Sequence, residues 1–373
     1  MRVELNVYSR AMVLLGVIDE ITSLIWTRRY WAAGDFKLLV PFTDRHAALI
    51  AKGNLIMRRG DTEAAEIRYI NIRRDAQGVE EIEVQGKFLT GWVGKRIICG
   101  QITAQDTTQN IIRKIVNETV VSPADSARRI PDILLEPEEA DTGSGRIDYT
   151  SEAFANALLA VEEAAKAAKL GFKMRTDARA GKHYFTVYAG RNLTAEQSVN
   201  PPCIFSPEFD NITEQEYTNS IENMKSTAYV GGEDAVPRVV AEVGNGSSGL
   251  DREEVFVNAA DITKVYRDTS DTEITRTDAE YLACLRERGF SELEQYVETL
   301  NFASRINPNA NLEYRRDFDL GDRVTCLNRR WGIKINVRVT EVTETYQKNE
   351  KEIEVTFGES LPTLIARIRQ ASK

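Results

Sequence analysis

Asp317, Asp319 and Asp322 gather three carboxylates around Gly321, residue types whose spacing could hold a cation. Carboxylates spaced around a glycine resemble a fragment of a calcium loop. An EF-hand loop is longer, ends on a glutamate and lies between helices. Here both flanks alternate apolar and polar residues, as strands do. The four residues therefore read as a structural turn between strands, not a metal site. Gly244-Asn-Gly246-Ser-Ser-Gly249 fits the dinucleotide fingerprint and follows a strand pattern. That fingerprint needs a helix next, with its N-terminal amides facing the pyrophosphate. Leu250–Val257 instead turns back into a strand, so a flexible hairpin loop is expected. Arg59-Gly-Asp61 is the integrin tripeptide, placed where a hairpin turn belongs.

Other chemistry has few candidates. Only His46 and His183 could serve a serine-histidine-aspartate arrangement. His46 lies in a short amphipathic helix and His183 in a strand pair, so both read as structural or surface residues. Cys99, Cys203, Cys284 and Cys326 are far apart and form no CxxC pair, which argues against a disulfide framework and against zinc. Neither G-x-S-x-G nor a P-loop occurs. We expect no catalytic residues, no cofactor and no metal, hence no enzyme. Trp26, Tyr30 and Trp31 cluster near one strand end. They fit a core plug or a partner-facing aromatic patch, since such residues anchor interfaces.

The elements that position these residues are mostly strands. Ile333, Ile335, Val337 and Val339 alternate with polar neighbours, then the apolar phase slips to Val342 and Tyr346. A one-residue slip predicts a β-bulge or bend. Ile353, Val355 and Phe357 form the returning strand. Residues 1–103 read as seven strands with one helix, Asp44–Ala51, as in a small barrel or sandwich. Residues 104–202 read as an α/β module. Its first helix follows the capping-box-like Asp106–Gln109, and its second runs from about Ser151 to Leu170, with Phe154, Leu158, Val161, Ala165 and Ala168 buried and Gly171 as C-cap. A loop, Ser122–Glu139, and a Gly143–Gly145 turn separate them, and Pro201-Pro202 closes the module.

Residues 203–360 return to strands, with a helical insertion at about 275–297 that Gly289 interrupts and Ser291–Glu294 restarts. An Asn307-Pro308-Asn309 turn follows a strand containing Leu300, Phe302 and Ile306. Residues 361–373 form a tail with a short helix. The fold class is α+β, mainly β: two small β-barrel domains flanking an α/β module.

A chain of 373 residues has room for two or three domains. Its net charge of -9 argues against a general nucleic-acid binder, which needs a basic footprint. No apolar run reaches the length of a membrane span. The strand-like N-terminus lacks a signal-peptide core, so folding in a cytoplasm is expected.

Several motifs occur in order along the chain: Tyr217–Gly232, Val239–Gly244, Gly249–Val257, Asp317–Val324, Arg338–Tyr346 and Val355–Gly358, preceded by Val84-Gln-Gly86 with Arg96. In these the sequence resembles the tail-hub protein family of long non-contractile-tailed phages, which is similar to the baseplate hub of contractile phages. The resemblance implies a structural role at the virion tail tip, after assembly in the host cytoplasm. It implies a homotrimer whose six barrels adapt a sixfold tail tube to a threefold tip. Implied partners are a distal tail or tail tube protein and a tail fibre or spike protein, while DNA passes an acidic or neutral lumen without specific binding. Two alternatives stand beside it. One is a receptor- or glycan-binding tail-tip module using Trp26, Tyr30 and Trp31. The other is a cell-wall hydrolase.

Overall fold

The computed structural model describes residues 3–137, 145–234, 236–267, 273–293, 295–307, 310–347 and 350–358. The chain is mainly β. It divides into two compact units, one of Met1–Glu216 with Phe302–Gly358 and one built on Tyr217–Asn301.

The larger unit is organised by a thirteen-stranded sheet. Its order runs Ile212–Ser220, Thr299–Ile306, Glu350–Gly358, Ile333–Gln347, Ser23–Arg29, Asp35–Pro41, Glu80–Phe88, Ala64–Arg74, Leu55–Arg58, Leu5–Tyr8, Leu14–Ile18. Arg323–Asn328 joins at the side of Ile333–Gln347, and Ile204–Phe205 pairs with it in parallel. The decisive pairing is Ser23–Arg29 against Ile333–Gln347, with Thr27 opposite Thr343. The N-terminal and C-terminal strands thus share one sheet, where the sequence suggested separate domains at 1–103 and 203–360. The expected phase slip is present: register shifts between Val339 and Glu341 against the returning strand.

Residues 103–188 supply the α/β part. Gly171–Asp177, Lys182–Tyr188 and Ile133–Leu135 form a three-stranded sheet, and Thr103–Thr107 pairs with Arg146–Thr150. Thr107 caps the helix Thr108–Val116, its hydroxyl accepting from the Asn110 amide. Ile111, Ile112, Ile115 and Val116 are fully buried, at the helical spacing that the sequence showed. The core of this part also contains Leu55, Met57, Leu89 and Trp92 from the first hundred residues. The break expected at 103 is therefore not a break in the core, because the large sheet must cover its second face.

Three local expectations are corrected. The second helix is shorter, Ala157–Ala167, capped by Asn156. Phe154 precedes it with positive φ and is 68% exposed, so the buried stripe is Ala157, Ala160, Val161, Ala164 and Ala165. Lys169 takes the left-handed conformation that ends this helix, and Gly171 instead begins a strand.

In the smaller unit, Val240–Gly244 and Glu254–Asn258 flank the central Thr227–Gly231, antiparallel and parallel to it respectively. The loop at 245–253 therefore crosses from one edge to the other and is not a hairpin. It holds only a short 3-10 turn, Gly249–Asp251, with no helix to face a pyrophosphate. Asp278–Leu293 is one continuous helix. Thr277 and Glu280 form a reciprocal capping box, at 3.3 Å and 2.7 Å. Gly289 does not break this helix. A Cβ there would lie 2.5 Å from Val243 and 2.7 Å from Val230, so the glycine lets the helix lie close on the sheet. The turn at 308–309, the tip at 143–144, Glu294, the end of the Ser122–Glu139 loop and the tail 361–373 lie outside the described residues.

Candidate functional site

The Asp317–Asp322 turn is a frame built from hydrogen bonds and ion pairs. The Asp322 amide donates to Asp319 O at 3.1 Å, and Gly321 has φ +94°, the geometry of a type II turn. The Gly321 amide donates to Val339 O, and the Val339 amide donates to Asp322 O, each at 2.8 Å. Two residues thus face one across the strand pair, a bulge opened by a left-handed glycine. Asp322 is 2% exposed. Its carboxylate accepts from the Asp319 amide at 2.8 Å and from Arg191, whose Nη2 lies 2.6 Å from Oδ2. Asp317 accepts from the Glu313 amide at 2.7 Å and pairs with Arg316. Asp319 accepts from the Leu320 amide and from Arg28. These carboxylates are thus held by amides and arginines.

Arg28 leads to a buried charge network that sequence reading missed. Its side chain is 7% exposed and touches Glu63 at 2.5 Å, Tyr314 Oη at 2.7 Å and Asp319 at 3.0 Å. A second group joins Arg58, Asp61, Arg315, Glu344, Tyr346 and Lys351. Arg58 Nη2 lies 3.0 Å from Asp61 and 2.9 Å from Glu344 Oε1; the latter contact is an ion pair without hydrogen-bond alignment. Arg315 reaches Asp61 at 2.9 Å, Lys351 reaches Glu344 at 3.0 Å, and Tyr346 donates to Glu344 at 2.6 Å. Burial works to raise Asp61 and Glu344, but the arginines outweigh it and both settle at about 2. Asp61 belongs to the Arg59-Gly-Asp61 tripeptide. Its side chain is 2% exposed and held by two arginines, so no receptor can read it. Single-sequence patterns carry no signal for these residues, because a charged residue in a strand reads as solvent-facing until its neighbours are known.

The aromatic residues divide. Trp26 and Tyr30 are fully buried, which places them in the interior, while Trp31 is half-buried. Trp26 packs on Phe36 and Phe88. Tyr30 lies between two glycines: a Cβ on Gly171 or Gly321 would come within 2.1 Å or 2.4 Å of its ring. Its hydroxyl lies 3.2 Å from the carbonyls of Lys169 and Tyr188. As arranged here, Trp26 and Tyr30 offer no surface to a glycan or partner. Their burial supports the core-plug alternative.

His46 is buried, with Nδ1 2.8 Å from Pro41 O. His183 is buried too, with Nδ1 3.0 Å from Thr176 Oγ1 and its ring edge-on to Trp92. Burial lowers the His183 imidazole to about 4. The folded state thus keeps it neutral where the unfolded chain takes a proton. Stability from this group is complete above about pH 6.5 and declines as pH falls toward 4. The loss should reach about 2 kcal/mol by pH 5, at about 1.4 kcal/mol per unit. Urea midpoints at pH 7 and pH 5 measure it. His183→Gln should flatten this slope, and an unchanged slope would place the titrating group elsewhere.

The sequence matches the family described as Siphovirus ReqiPepy6 Gp37-like protein over residues 4–359. The chain belongs to that family. A comparison with curated protein sequences found no match. Among solved structures, this siphovirus-family chain is similar to the 43 kDa tail protein of prophage MuSo2 from Shewanella oneidensis, with TM-score 0.60 and 12% identity over 96% of this chain and 98% of the other. It is also similar to the tail protein from Neisseria meningitidis MC58, with TM-score 0.59 and 12% identity over 96% and 97%. Prophage tail protein gp18 from Listeria monocytogenes EGD-e gives TM-score 0.54 and 11% identity over 100% and 98%. At such identities the shared property is the fold. The chain has the fold of phage and prophage tail proteins, as the ordered motifs suggested. No helix among the described residues is long and apolar enough to cross a membrane.

Proposed function

We propose that this chain is a structural tail-hub protein that acts by assembly. Three copies form a ring at the tail tip, each contributing two barrel-like β regions. The ring adapts a sixfold tail tube or distal tail protein to a threefold fibre or spike, and DNA passes its lumen without specific binding. The observation that carries this reading is the near full-length match to a siphovirus family, on a fold shared end to end with phage tail proteins. The Ser23–Arg29 pairing with Ile333–Gln347 supports it physically. A ring under load needs subunits whose termini do not peel apart, and here both ends of the chain stiffen one sheet.

Light scattering on the protein alone and with the adjacent distal tail protein tests the proposal. The expected mass is three times 42.0 kDa in at least one condition. A monomer under both conditions overturns the hub reading.

A further inference from the structure

Arg323 and Arg338 stand directly opposite each other across the Arg323–Asn328 and Ile333–Gln347 strands. The Arg323 amide donates to Arg191 O, and its carbonyl accepts from the Leu193 amide, so both backbone groups point away from Arg338. The two arginines are therefore a non-hydrogen-bonded pair, the kind that brings side chains closest. Like charges at that position are destabilising. Yet among the described residues neither arginine has an acidic partner, although the chain carries a net charge of -9. The nearest candidate, Asp322, is taken by the fork of Arg191.

Arg338 is also fixed in place. Its Nη1 donates to Gly321 O at 2.5 Å, and its guanidinium lies 5.1 Å from the centre of the buried Tyr30 ring. It is half-buried, whereas Arg323 is exposed. A held, partly desolvated cation facing a second cation is costly unless an anion arrives. Planar guanidinium groups prefer oxyanions that they can grip with two hydrogen bonds.

We propose that Arg323 and Arg338 form a docking point for a carboxylate on an acidic segment of a second copy of this chain. The inference rests on the ring reading above and assigns one of its contacts. Two cations without a carboxylate partner are too few for a DNA track, where binding grows with the number of phosphates neutralised. A copy of this acidic chain offers the complementary charge, and a basic pair on one copy steers the acidic surface of the next.

The test uses the full chain. Arg323→Glu turns the like-charge pair into an opposite-charge one, so thermal unfolding should hold or rise slightly while self-association weakens at least tenfold by light scattering. Arg179→Glu, at an exposed arginine away from this strand pair, should leave association unchanged. A photo-crosslinking benzoylphenylalanine at the exposed Asn192, bridged to Arg323, should join to a Glu- or Asp-rich peptide of another copy. Unaltered assembly of the Arg323→Glu protein, or a crosslink only to DNA or a different protein, overturns this inference and leaves the ring reading intact. A wild-type chain that stays monomeric with and without its distal tail neighbour overturns both.

Discussion

Replacing Arg28 with alanine should cost the larger unit about 3–5 kcal/mol, the usual loss when one member of a buried ion pair is removed. Glu63 has a side chain only 7% exposed and would lose the guanidinium that contacts it at 2.5 Å. Arg28 also holds Tyr314 and Asp319, so the loop that carries the Asp317–Asp322 turn would loosen with it. Lysine should not rescue the position, because one ammonium cannot span the same three acceptors in a fixed fork. Arg28→Met combined with Glu63→Met should recover much of the loss, since apolar residues of similar volume can replace a buried pair. Urea unfolding of the four proteins decides the matter. A loss below about 1 kcal/mol for Arg28→Ala, the range of solvated surface pairs, would show that water reaches Glu63.

Gly321→Val should be nearly as damaging, for two separable reasons. The backbone there has φ +94°, which costs a residue with a Cβ about 1–2 kcal/mol. The new Cβ would also lie 2.4 Å from the Tyr30 ring, and overpacking a filled site costs about 1–3 kcal/mol more. Gly171→Ala separates the two effects. It presses on the same ring, at 2.1 Å, without the positive φ. We expect thermal unfolding to fall for both variants, and further for Gly321→Val. Equal thermal unfolding of Gly321→Val and wild type would remove the turn from the frame altogether.

Acid adds a third, milder stress. Asp61 and Glu344 titrate at about 2 when folded and near 4 when free, so their contribution holds at neutral pH and fades only as pH falls from about 4.5 toward 2. His183 should act first, between pH 6.5 and 4.

Local geometry was legible in the residues themselves. The alternation of Ile333 to Val339 and the slip to Val342 specified a strand with a bulge, because side chains on a strand change face at every residue. Gly321 between aspartates specified a turn. The box Asp106–Gln109 marked a helix start within one residue of its cap, Thr107. Such features depend on φ, ψ and period over a few neighbouring residues. Where local reading failed, a distant packing partner was the cause. Gly171 looked like a helix cap and Gly289 like a helix breaker, yet both are glycine because another element comes too close for a Cβ.

The sequence by itself determined the mainly β class, most strand positions and a turn at Asp317–Asp322. Only the tertiary structure decided that Ser23–Arg29 lies beside Ile333–Gln347, and so that Arg28 meets Glu63 and Asp319 while Arg58 meets Glu344. Strand period states which face is buried but not against what. The choice of partner is made by closing a loop of some three hundred residues, a cost that grows slowly with length and that burial of both faces offsets. The charges inside that closure took their meaning from it. As letters they looked like solvent-facing residues; in the fold they bind the two ends of the chain together.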